Sequence, residues 1–78
     1  MELKYKIRKR KSQESSIVYG SDNVFYCLLE FIYNTNIVKQ SISEESLHVC
    51  EQAQEWCEQA EIGGKFYDED FTIEVISE

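Results

Sequence analysis

Leu3, Tyr5 and Ile7 alternate with Lys4, Lys6 and Arg8, a period of two that an extended strand sorts into one dry and one wet face. Residues 2–10 are therefore predicted to form a strand whose apolar side must be covered by the rest of the chain. Lys11-Ser12-Gln13-Glu14 is polar and turn-like, and the β-branched pair Ile17-Val18 predicts a hairpin into a short second strand over Ser15–Tyr19.

Helical segments supply the cover. Ser21 is placed to cap a first helix, with Asp22 at the positive end of its dipole. Over residues 21–33, Val24, Phe25, Cys27, Leu28, Leu29, Phe31 and Ile32 span an apolar arc of roughly 200°, wide enough for a central helix or one that meets another subunit. Asn34-Thr35-Asn36 tolerates left-handed geometry and should end it. Residues 37–40 fit either a connector or a short extended piece. A second helix is predicted over residues 44–62, capped by Ser41 or Ser43, with Glu44 three residues after Ser41 in a capping-box pattern. Gly63-Gly64 should stop it. Residues 65–70 read as a turn, and Phe71, Ile73 and Val75 as the inward side of a last strand.

The predicted order is β-β-α-α-β: a single α+β domain over residues 1–78, with an antiparallel sheet of two to three strands and both helices on one face. Glu74 and Glu78 would pair with Lys4, Lys6 or Arg8 if the last strand lay beside the first. A chain of 78 residues buries only about 60–65% of its unfolded surface, so its stability should be a few kcal/mol. The N-terminus lacks the apolar stretch of a secretory signal, and no apolar run reaches the ~18–20 residues of a membrane span. Three cysteines, Cys27, Cys50 and Cys57, are an odd count that fits a reducing compartment. The expectation is a cytoplasmic protein that does not engage membranes.

Few chemistries survive inspection. His48 and Cys50 lie about 200° apart around a helix and cannot act as a pair. Cys50 and Cys57, about 10.5 Å apart along the same helix, can share neither a metal nor a disulfide. Small core residues are the simpler account of all three thiols. Asp68-Glu69-Asp70 lacks the glycine and distal glutamate of a calcium loop, and Gly63-Gly64 follows a helix where a phosphate loop would precede one. No nucleophile, base and oxyanion set assembles. The reading is a non-enzymatic protein with no cofactor and no metal.

Charge carries what remains. Residues 1–11 hold six cations against one carboxylate, whereas residues 12–78 hold two cations against fourteen carboxylates. With Glu51 as the zero of angle, Glu44 falls near 20°, Glu55 near 40° and Glu58 near 340°. The four line a stripe about 21 Å long, opposite Cys50, Ala53, Trp56 and Cys57. No Lys or Arg occurs between Lys39 and Lys65, so like charges three and four apart repel at about 0.2–0.5 kcal/mol per pair. Such a face either keeps the protein dispersed or imitates nucleic-acid phosphates before a basic protein partner. The expected docking surface comprises Glu44, Glu51, Glu55, Glu58 and the acidic turn Asp68, Glu69 and Asp70.

Two alternatives stand beside it. Lys4, Lys6, Arg8 and Arg10 could hold nucleic-acid phosphates on the first strand, although the acidic remainder repels nucleic acid and no aromatic residue interleaves with those cations. Tyr26, Glu30 and Tyr33, on the less apolar side of the first helix, could form a protein interface or join two copies. In size and charge the chain resembles the small acidic inhibitors that phages and mobile elements direct at nucleases and other nucleic-acid-binding proteins. That resemblance is an analogy and implies no residue-level role.

Overall fold

The computed structural model describes residues 2–34 and 43–78. Strand β1 (Lys4–Lys9) turns through residues 10–14 into β2 (Ser15–Tyr19). Helix α1 (Ser21–Cys27) continues into a π-helical turn over Leu28–Ile32. Helix α2 (Glu44–Gln59) is followed by β3 (Lys65–Tyr67) and β4 (Phe71–Ser77). The strands form one antiparallel sheet in the order β2-β1-β4-β3. The expected α+β class therefore holds with one strand more than predicted. The residues 65–70, read as a turn, are strand β3 plus a tight hairpin in which the Asp68 amide donates to the Phe71 carbonyl and Asp70 to the Asp68 carboxylate.

The first and last strands pair as their charges suggested, with Lys6 opposite Glu74. Their alternation buries Tyr5 and Ile7 from β1 with Phe71, Ile73 and Val75 from β4. These pack into one cluster with Val24, Leu28 and Leu29 of the first helical segment and Cys50, Ala53 and Cys57 of α2. Both helical segments thus cover one face of the sheet, leaving the other open.

Several element ends differ from expectation. Gly20, not Ser21, takes the N-cap position of α1, in left-handed backbone (φ 83°) with its buried amide bonded to the Leu3 carbonyl; Ser21 is already helical. Asn34 ends the first helical segment at φ 55°, as its tolerance of that region allows. Ser43 caps α2, accepting from the Ser46 amide at 3.1 Å, while Ser41 and residues 37–40 lie outside the described residues. Helix α2 stops at Gln59 instead of continuing to residue 62, because Ala60 is extended. Gly63 and Gly64 serve the turn into β3: the Gly63 amide donates to the Val75 carbonyl, and the Val75 amide to the Gly64 carbonyl.

Candidate functional site

Helix α2 presents its two sides as the 3.6-residue period demands. Cys50, Ala53 and Cys57 are buried, and Glu44, Glu51, Glu55 and Glu58 are all exposed on the opposite side. Among the described residues the ion pair within 4 Å joins Lys9 to Glu14, so none of the four carboxylates is neutralised by a described cation. His48 shares this solvated side. A hydrogen bond from the Gln54 amide group to the Asp22 carboxylate (2.9 Å) fixes α2 against α1 beside the stripe.

The acidic hairpin turn lies elsewhere on the surface. Asp68, Glu69 and Asp70 border a groove with Glu45, Ser46, Val49 and Tyr33. Glu45 and Val49 lie about 120° and 160° around α2 from Glu51, which separates the turn from the stripe. The carboxylates expected to act as one surface therefore form two. Arg10 closes onto the turn, its guanidinium donating to the Asp68 carbonyl at 2.9 Å and its amide to Asp70 at 3.0 Å. The Tyr33 hydroxyl is pushed well above its usual pKa, first by burial and then by the Asp68 carboxylate.

The thiols are protected. Burial, then Asp68 and Glu51, pushes Cys50 up to about 12, and burial followed by Glu58 does the same for Cys57. Cys27 is only half-buried and borders an open groove of about 660 Å³ between β2 and α1, with Val18, Tyr19, Tyr26, Glu30 and Phe31. Its thiol is also raised, mainly by burial, against a lowering hydrogen bond from Ser16, so it is a poor nucleophile at neutral pH. Tyr26 and Glu30 thus meet at this groove, whereas Tyr33 lies by the acidic turn. The π-helical turn between Tyr26 and Tyr33, closed by the Tyr33 amide on the Leu28 carbonyl, breaks the seven-residue repeat that would align them.

The open sheet face collects residues that no single segment announces. Lys4, Lys6 and Arg8 project from β1 opposite Tyr19, Ile17 and Ser15 of β2. Across β4, Glu74 faces both Lys6 and Lys65, and Thr72 faces both Arg8 and Tyr67. Arg10, expected with the β1 cations, is engaged at the acidic turn. Tyr19 and Tyr67, 51% and 66% exposed, supply from the two edge strands the aromatic rings that β1 lacks on this face. Lys65 and Tyr67 were missed because residues 65–70 read as one turn. The available signal was the turn-forming Asp68-Glu69-Asp70 directly before the alternating run from Phe71, a pattern that suits a hairpin. Among the described residues no group of three or more His, Cys, Asp or Glu side chains is arranged to hold a metal ion, and no helix is long and apolar enough to cross a membrane.

Compared with known protein families, curated protein sequences and solved structures, the chain matches none.

Proposed function

We propose that this protein is a small acidic protein-interaction domain that regulates or inhibits a basic, nucleic-acid-handling protein, binding it through the exposed side of α2. The observation that carries the reading is the disposition of Glu44, Glu51, Glu55 and Glu58: all exposed, unpaired among the described residues, and diametrically opposed to the buried Cys50, Ala53 and Cys57. Helix geometry spaces Glu51, Glu55 and Glu58 about 5 Å apart along the axis, against about 3.4 Å per phosphate along one strand of a duplex. The stripe is thus a sparser phosphate mimic, suited to steering a cationic cleft into register. The helix side binds, and the protein performs no chemistry on its partner.

The test is competition. Immobilised protein is offered a panel of basic nucleases and nucleic-acid-binding proteins, with and without duplex DNA, and in parallel as the triple variant Glu51→Lys, Glu55→Lys, Glu58→Lys. Retention of a panel member that DNA displaces and charge reversal abolishes supports the reading. Equal retention by both forms, or none by either, would leave the stripe a solvated helix face.

A further inference from the structure

We propose that the open face of the sheet is a second binding surface, a platform for single-stranded nucleic acid. It goes beyond the helix reading and rests on the opposite side of the molecule. Within the strands, Lys4, Lys6, Arg8 and Lys65 leave on this face against one carboxylate, Glu74. Lys6, Arg8, Lys65, Tyr67 and Thr72 border a common groove of about 300 Å³. The local charge is therefore the reverse of the whole chain's net −7. The α2 carboxylates lie on the solvent side of the helical layer, away from this face.

The aromatic residues decide which polyanion fits. Tyr19 and Tyr67 are at diagonal corners of the sheet, about three strand spacings or 14 Å apart across it and roughly 13 Å apart along it, with the cations between them. Lys4 already lies over the Tyr19 ring at 5.8 Å. Exposed rings at both ends of a cationic band suit unpaired bases, which stack on them while lysine and arginine hold the intervening phosphates. A duplex keeps its base faces inside its own stack and would use only the cations. A second copy docking its acidic helix here would use the cations too, and would leave the tyrosines without a role. Thr72, between Arg8 and Tyr67 in register, adds a hydroxyl for a phosphate or sugar oxygen.

The experiment is a salt-titrated anisotropy measurement with labelled oligo(U) and oligo(dT) of about twelve nucleotides, inside the usual site sizes of such surfaces. Binding is expected at low salt. The affinity should fall with log salt at a slope of about −0.7 per phosphate neutralised. Tyr67→Ala should weaken it about fivefold or more, Lys65→Ala should flatten the slope by about 0.7, and Glu74→Gln should strengthen binding. All three side chains are exposed, and circular dichroism checks that each variant stays folded. No binding at low ionic strength, or affinity indifferent to Tyr67→Ala and Tyr19→Ala, overturns the platform. So does sedimentation showing self-association that Lys65→Ala abolishes, since a second copy then occupies the face. Reversal of the α2 stripe leaves these outcomes distinguishable, because a platform on the sheet still binds when Glu51, Glu55 and Glu58 are lysines.

Discussion

The Tyr5 hydroxyl donates to the backbone carbonyl of Cys57 at 3.0 Å, a buried bond that ties the first strand to the last turn of α2. The carbonyls of a helix's last turn lack intrahelical partners, and this one receives only a longer bond from Ala60, at 3.3 Å. Tyr5→Phe keeps the ring in the core and removes the donor, so urea unfolding should show a loss of about 0.5–1.5 kcal/mol. Tyr5→Ala also empties the space and should cost about 3–5 kcal/mol. A Tyr5→Phe variant as stable as the parent protein would show that the bond contributes nothing.

The thiols give a stability profile with a definite sign. Thiols that ionise near pH 9 when unfolded stay protonated in the fold up to about pH 12 at Cys50 and Cys57, chiefly because burial excludes the thiolate. In that window the native state binds more protons than the unfolded chain, so stability is whole below pH 9 and is lost as pH rises toward 12. The raised Tyr5 and Tyr33 hydroxyls act in the same direction. Urea midpoints from pH 8 to 11 should fall steadily, and Cys50→Ala with Cys57→Ala should shallow the decline. In the native protein at pH 8 a maleimide should label Cys27 alone, slowly, and all three cysteines in denaturant. Rapid native labelling of Cys57 would contradict its burial.

Gly20 holds the junction between β2 and α1 at φ 83°, and a Cβ there would meet the Glu2 carboxylate at 2.6 Å. That side chain can move, so the backbone sets the penalty. Gly20→Ala should destabilise by about 1 kcal/mol or more, and Gly20→Asn by as much, because with ψ at 143° the residue lies outside the left-handed helical region that asparagine tolerates. Thermal unfolding of the two variants in parallel checks this, and midpoints equal to that of the parent protein would place the strain elsewhere.

How much of this was legible depended on period and length. Residues 3–7 and 71–75 alternate cleanly, and residues 44–59 repeat at 3.6, so β1, β4 and α2 follow from side chains alone. The solvated glutamates follow with them, since they oppose Cys50, Ala53 and Cys57. Three residues are too few to show a period, which hid β3 and with it Lys65 and Tyr67 on the open face. The phase of Tyr33 was beyond reach for a different reason: an apolar arc as wide as that of residues 24–32 packs almost as well in an α as in a π turn, and tertiary contacts choose between them. The cap at Gly20 was obscured by Ser21, a good capping residue one position further on.

The stripe on α2 also makes a prediction about stability. Glu55 stands four residues after Glu51 and three before Glu58, all exposed, and each like-charge pair costs about 0.2–0.5 kcal/mol. Glu55→Lys replaces two repulsions by two attractions, one of them in the favoured order with glutamate N-terminal to lysine, and sets a cation nearer the negative end of the dipole. Unfolding free energy should rise by about 1–2 kcal/mol at low ionic strength, and the gain should shrink toward zero near 1 M salt, where the screening length is about 3 Å. A variant that is more stable yet no longer captures the basic partner would show that the helix forgoes stability to keep its carboxylates unpaired. If Glu55→Lys leaves stability unchanged at low salt, the glutamates are already compensated, and the charge argument for a docking surface on α2 fails with them.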